Sequence, residues 1–369
     1  MKIRVALVGT GFISDFHVRA LSSVPGAELV AICDSDPRKA EAVARRWAIP
    51  HSYHSLDAML GTTPIDAVHI LVPPPYHASV SLACLEAGCD LLIEKPLAAT
   101  AAECLDLKDA AERSSRIVGV NHNAIYHPSF RRLVRGIQQG LLGGVQHVTA
   151  CLNVPLRQLT AGQHEHWMFQ KPGNIVLEQA PHPLSQIQFL LGNFRSLPSV
   201  PSEPVRLNSG KLLFSSWHIS LICERGSAQC FLSFGKEYYD SWLHAIGQDG
   251  SAFLDLRRNT LRFTDKSRFM EPLDQFRVAW GSAWQESVQA SRNLADYVLG
   301  FMKLKPAADP FYRGMCDSIR GFYEARAGQQ VLPASLEDAT AVIQACEAIA
   351  QPASEQSEAE THKWERVTS

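Results

Sequence analysis

Two pairs of ionisable residues in this chain have the types and spacing for chemistry. Glu94 and Lys95 stand side by side after the apolar run 91–93, and Pro96 fixes the exit behind them. A lysine held partly out of water near other cations gives up part of its proton affinity, so it can act as acid or base toward a hydroxyl. Glu178 and His182 lie four apart. A helical backbone would put them on one face, where the carboxylate can orient or charge the imidazole. On residue types alone each pair also has a plain reading, a surface ion pair at 94–95 and a solvent-facing helix cap at 178–182.

The elements that would position these groups begin at the N-terminus. Residues 3–8 are apolar apart from Arg4, as expected of a strand covered on both faces of a parallel sheet. Gly9-Thr10-Gly11-Phe12-Ile13-Ser14 follows. The first glycine permits a tight turn, and the second lets backbone approach a pyrophosphate lying on the free N–H groups of the next helix. That helix, over 14–23, stops at Pro25-Gly26, and a second apolar run over 27–33 ends at Asp34, 20 positions beyond Ser14. Asp34 can accept hydrogen bonds from an adenine ribose, which makes the stretch a dinucleotide-binding βαβ unit with Gly9, Gly11, Phe12, Ile13 and Asp34 at the cofactor. Arg38 could hold the 2′-phosphate of NADP, but Asp34 would repel it, so NAD is expected over NADP. Ser14 stands where the motif usually has Gly or Ala.

A strand over 66–72 ends in Pro73-Pro74-Pro75, which turns the chain at the carboxyl edge of the sheet, where ligands of open α/β sheets bind. His77 opens the next helix. In a parallel sheet Glu94 and Lys95 emerge at this same edge, near the nicotinamide half of a dinucleotide. The strand over 116–120 delivers Asn121 and His122, the start of a polar site wall running to His127. Past Gly140 the alternation changes. Strand-like runs at 145–154, 211–223, 228–234, 244–246, 252–256 and 260–264, with short turns between several, predict a mostly antiparallel sheet. His164 and His166 do not share a helical face and have no partner at zinc spacing, so no metal is expected. Helices are predicted over 286–301, after Asp309-Pro310, and from the capping box Ser335-Leu336-Glu337-Asp338. The expected organisation is a Rossmann domain over 1–124, an α+β substrate-binding domain over 125–350 and a polar, frayed tail over 351–369.

At 369 residues, with 46% hydrophobic and 20% charged, the composition is that of a globular protein with two cores. A net charge of -2, with no basic stripe, invites neither nucleic acid nor an anionic membrane. No apolar run approaches the roughly 20 residues of a membrane span, and nine scattered cysteines read as reduced thiols, so a cytoplasmic protein is expected.

The glycine turn at Gly9, the strand end Glu94-Lys95-Pro96 and the segment from Gly173 to His182 together resemble the glucose-fructose oxidoreductase and inositol dehydrogenase (Gfo/Idh/MocA) family. The resemblance covers nearly the whole chain, including the helix start at Ser335. It implies a doubly wound Rossmann domain, then a domain with a large open sheet that mediates homodimers or homotetramers, and NAD(P)-dependent chemistry on sugars, cyclitols and nucleotide-linked sugars. By this resemblance Lys95 sits beside the reacting hydroxyl, His182 matches the catalytic histidine, Asn121 and His122 line the substrate site and His77 borders the cofactor. Glu178 stands where the family usually has aspartate, one methylene shorter. The implied reaction passes a hydroxyl proton to His182 or Lys95 while hydride leaves for the nicotinamide. The implied substrate is a nucleotide-linked amino sugar of the UDP-N-acetylglucosamine type, oxidised at carbon 3 ahead of transamination, with Arg157, Lys171 and Trp167 available to a diphosphate and a uracil ring. The same scaffold also serves cyclitol and free-sugar dehydrogenases, NAD-assisted glycoside hydrolases and NAD-binding regulators. Lys95 and His182 argue against the regulator, which needs neither.

Overall fold

The structure, a computed structural model, describes residues 2–207, 210–267, 269–305, 309–332 and 334–368. In chain order the first part consists of β1 (Ile3–Val8), α1 (Ser14–Leu21), β2 (Ala27–Cys33), α2 (Pro37–Trp47), β3 (His51–Tyr53), α3 (Leu56–Thr62), β4 (Ala67–Ile70), α4 (His77–Glu86), β5 (Asp90–Glu94), α5 (Ala101–Ser114) and β6 (Val118–Asn121). All six strands are parallel, in the order β3-β2-β1-β4-β5-β6. This is the doubly wound order whose ligand crevice lies at the carboxyl ends of β1 and β4, where the winding reverses. Local chemistry sets the helix starts. Asp36 accepts from Arg38 N ahead of Pro37 in α2, and Thr100 with Glu103 forms a capping box for α5.

The chain continues through α6 (Pro128–Gln138), β7 (Val145–Asn153), α7 (Arg157–Thr160), α8 (Asn174–Gln179), α9 (Pro181–Leu191), β8 (Phe194–Ser196), β9 (Ser199–Arg206), β10 (Leu212–Cys223), β11 (Gly226–Ser233), β12 (Asp240–Gly247), β13 (Gly250–Asp255), β14 (Thr260–Asp265), α10 (Glu271–Phe301), α11 (Pro310–Arg326) and α12 (Leu336–Thr368). The strands form an eight-stranded sheet, β14-β13-β12-β7-β11-β10-β8 with β9 also on β10, antiparallel except where β11 meets β7. The six strand-like runs read in the sequence are all strands here. β9 escapes that reading because it contains Pro201 and Pro204; it pairs only with β10, so the missing N–H groups cost no ladder bond on its other side.

Two helices differ from expectation. α10 begins at Glu271, 15 residues before 286, because the apolar residues of its first half give no inward stripe to read. α12 continues through Pro352 to Thr368, where a frayed tail from 351 was expected; the polar, Ala- and Glu-rich composition argues against burial but not against helix.

By contacts the chain forms two compact units, one of residues 1–123 and 314–344, the other of 124–313 and 345–369. Within the first, α11 lies on the parallel sheet. Phe322, Ile319 and Tyr323 join the core around Leu7, Ile32 and Leu92, and Arg326 bonds Asp90 at 2.7 Å. Gly119 in β6 makes room for this packing, since a Cβ there would lie 2.9 Å from the Phe322 ring. Phe322→Ala should therefore lower stability by about 3–5 kcal/mol, measured by urea unfolding. A loss below about 1 kcal/mol would show that α11 is not part of this core.

Candidate active site

The turn after β1 is built by close approach. Gly9 has φ +107°, and a Cβ on it would lie 2.6 Å from the Leu71 carbonyl, backbone that cannot yield. Gly11, by contrast, has nothing within 4 Å of its Cβ position, which leaves its backbone open to a ligand. Asp34 follows β2 and braces the turn: Oδ2 accepts from Thr10 N at 2.9 Å and Thr10 Oγ1 at 2.6 Å, and Oδ1 accepts from Asp36 N at 3.0 Å. A carboxylate offers about four acceptor positions, so one remains for a ribose hydroxyl.

Ser14 turns its departure from the motif into a bond, donating through Oγ to Gly11 O at 2.8 Å while almost fully buried. Phe12 is 83% exposed and leans on Phe16, whereas Ile13 packs into the core. A cavity of about 360 Å³ opens beside Thr10, Gly11, Phe12, Arg19 and Arg46. Arg38 points into solvent with Nε 3.6 Å from Asp36, so its charge already has an anion beside it. The open backbone at Gly11, the start of α1 and the remaining acceptor on Asp34 fit a dinucleotide without a 2′-phosphate.

At the carboxyl ends of β5 and β6, Glu94 is held by groups that sequence reasoning did not find. His17, buried in α1, places Nε2 2.7 Å from Glu94 Oε1 and Nδ1 2.8 Å from His69 Nδ1. His69, buried in β4, places Nε2 2.9 Å from the Tyr323 hydroxyl. Donors and acceptors balance along one line: Tyr323 O–H donates to His69, His69 to His17, and His17 to the carboxylate. Burial drives the His69 pKa well below its ordinary value, in keeping with a neutral ring. Burial raises the Glu94 pKa, but the hydrogen bond from His17, the Asn121 amide and the charge of Lys95 outweigh it, and Glu94 stays ionised. The signal available in the sequence was His69 itself, a polar residue in the apolar strand 67–72.

Lys95 is half-buried beside this carboxylate. His77 fixes the turn behind it, with Nδ1 2.8 Å from Pro96 O and Nε2 2.8 Å from Val72 O. Both ring nitrogens thus face backbone carbonyls in a buried site, next to Pro73, which caps a single 3-10 turn. Asn121 and His122 are 1% and 2% exposed, yet Asn121 Oδ1 and His122 Nε2 have no hydrogen-bond partner. Buried polar atoms rarely stay unpaired, so this acceptor and this ring nitrogen mark where a ligand's polar groups belong.

In the second unit Glu178 near the end of α8 and His182 in α9 are both half-buried. Ala180 between the two helices is itself helical (φ -66°, ψ -24°), so the backbone places Glu178 and His182 one turn apart as the spacing predicted. Trp167 lies upstream, its carbonyl accepting from Asn174 Nδ2 at the start of α8 at 2.8 Å, and Arg157 is exposed on α7. Among the described residues no group of three or more His, Cys, Asp or Glu could hold a metal ion, and no helix is long and apolar enough to cross a membrane.

Residues 3–122 match the oxidoreductase family with an NAD-binding Rossmann fold. The match is to the Gfo/Idh/MocA model and covers 120 of the 369 residues. Inositol 2-dehydrogenase 1 of Saccharopolyspora erythraea is 36% identical over 146 residues, 39% of this chain and 43% of that protein. The match thus spans less than half the length of that relative. Two solved structures share the fold of both units. One is UDP-N-acetylglucosamine 3-dehydrogenase from Acidithiobacillus ferrooxidans (TM-score 0.70, 18% identity, 95% of this chain and 97% of that one). The other is levoglucosan dehydrogenase with NADH and levoglucosan (TM-score 0.77, 18% identity, 97% and 98%).

The geometry of the turn and of His122 makes two predictions. Gly9→Ala should abolish NAD binding measured by titration calorimetry, because the turn must open to admit the methyl group. Retained affinity would mean that the turn does not contact the cofactor. The second concerns acid. Burial lowers the His122 pKa from 6.5 to about 4, so between those values the unfolded chain holds a proton that the folded chain lacks. Stability should fall as pH drops from about 6.5 toward 4, by up to about 1.4 kcal/mol per pH unit from this residue. In His122→Gln the fall in urea midpoint over that window should be shallower, and an identical slope would exclude the assignment.

Proposed function

We propose that this chain is an NAD-dependent dehydrogenase that oxidises a ring hydroxyl of a sugar to a ketone. The observation that carries the reading is the meeting of Glu94 and Lys95 with the unpartnered Asn121 Oδ1 and His122 Nε2 at the edge that also carries the glycine turn. Neighbouring hydroxyls on a saturated ring match such groups, being donors and acceptors at once. NAD bound at this edge would supply the hydride acceptor. The Lys95 ammonium stabilises the alkoxide that develops as hydride leaves, and the ionised Glu94 keeps a positive charge favoured beside it. Either His182 receives the hydroxyl proton while Lys95 stays an ammonium, or Lys95 receives it as a neutral amine and becomes the ammonium; Glu178, one helical turn before His182, orients that ring.

For the substrate class we propose a nucleotide-linked amino sugar of the UDP-N-acetylglucosamine type, oxidised at carbon 3 ahead of a transamination. Likeness in fold to the Acidithiobacillus enzyme supports it. The competing reading, a free cyclitol or sugar, is supported by the 36% identity to an inositol dehydrogenase. Mass spectrometry of products formed with NAD from UDP-sugars, free sugars, cyclitols and glycosides separates them, with 2-oxoglutarate added as an acceptor that would reoxidise tightly held NADH. A UDP-sugar that loses two hydrogens supports the proposal, an oxidised cyclitol replaces the substrate class, and cleavage of a glycoside replaces the net oxidation. NAD binding with no product would replace the enzyme with a regulator.

Lys95→Ala should lower kcat by about 10²-fold or more while leaving the Kd for NAD within a few-fold. Unchanged turnover in this variant would remove Lys95 from the reaction.

A further inference from the structure

α10 is amphipathic the wrong way round for a helix that only covers its own unit. Its inner face is polar: the Gln285 side chain takes Phe263 N (3.0 Å) and donates to Phe263 O (3.1 Å), and Gln289 does the same with Leu261 N (2.9 Å) and Leu261 O (2.6 Å). Two side-chain amides thus replace a neighbouring strand along the edge of β14. The outer face is apolar. Leu273, Phe276, Trp280, Trp284, Leu294, Tyr297 and Phe301 are 55–81% exposed, and no residue of the 31-residue helix is buried. At about 150–250 Å² per aromatic side chain, the five exposed aromatics of the helix alone offer roughly 700 Å². One partner's share of a stable interface is about 800 Å².

The pattern on this face is also self-complementary about Ser287. Leu273, Phe276 and Trp280 lie 14, 11 and 7 residues before it, and Phe301, Val298 and Leu294 lie 14, 11 and 7 after it. Trp284 and Ala290 lie 3 on either side, a large residue matched with a small one. Exposed Glu271 and exposed Lys303 lie 16 on either side, opposite in charge. A two-fold axis makes each residue i of one copy meet j of the other while j meets i.

We propose that α10 is the seam of a homodimer, packed antiparallel against α10 of a second copy about an axis through Ser287. Each Trp280 then packs on Leu294 of the other copy, each Phe276 on Val298 and each Trp284 over Ala290, with Glu271 facing Lys303 at both ends. The antiparallel arrangement also sets the helix dipoles head to tail.

The test is light scattering of the full chain together with cross-linking. Wild type should weigh an even multiple of 40.7 kDa, and Trp280→Glu with Leu294→Glu should halve that mass while the circular dichroism spectrum is kept. Ser287→Cys, oxidised with copper-phenanthroline, should give a covalent dimer that neither wild type nor the exposed control Gln138→Cys gives. A wild-type monomer at 100 µM overturns the proposal, whether or not it floats with phosphatidylglycerol vesicles. So does a mass that the double variant leaves unchanged, or a Ser287→Cys chain that cross-links no faster than the control.

Discussion

The first unit depends on keeping one carboxylate ionised away from water. Glu94 ends β5 with its side chain only 12% exposed, and a charge in such a place is tolerated only when other groups replace its hydration. Those groups come from every side: His17 from α1, Asn121 from β6, and through His17 the His69 ring of β4 and the Tyr323 hydroxyl of α11. The polar chain therefore fixes the relative positions of three strands and two helices at the edge where the glycine turn lies. Lys95 inherits its position from it, being the next residue, with the Pro96 carbonyl held by His77. A buried charge is weak evidence for stability, but here it gives the reason for the geometry around the lysine.

The glycine turn shows the same economy with a different acid. Asp34 holds Thr10 through two bonds to one oxygen and the start of α2 through the other. The carboxylate read as a ribose acceptor is thus also the brace of the turn. Ser14 supports it from the helix side by reaching back to Gly11 O. The preference for NAD over NADP then rests on a residue that cannot be exchanged without loosening the loop.

What could be read from the sequence was whatever local chemistry fixes. Five of the six parallel strands announce themselves through apolar runs and turn residues, whereas β3, the polar triplet His51–Tyr53, does not; the glycine turn shows through its strand, helix and acid in order. β9 and the first half of α10 stayed hidden for opposite reasons, one carrying prolines that an edge strand tolerates, the other carrying its apolar residues outward. His77, singled out as a cofactor neighbour, has both ring nitrogens against backbone carbonyls, a fact that depends on where a three-proline turn lands. The network of His17, His69 and Tyr323 was out of reach because its last member joins from 254 residues beyond His69, and no local pattern encodes such a meeting.

That late arrival has a consequence for how the chain is made. Synthesis releases β1 to β6 first, but the segment from Gly314 that completes their core follows Asn123 by 191 positions. At about 5–20 residues per second, roughly 10–40 s of translation separate the two. Throughout that interval His69 has no Tyr323, Asp90 has no Arg326, and the face of the sheet beneath Phe322 is uncovered. The eight-stranded sheet, by contrast, takes all its strands from one continuous stretch. Emergence order therefore favours the second sheet closing before the first unit is complete.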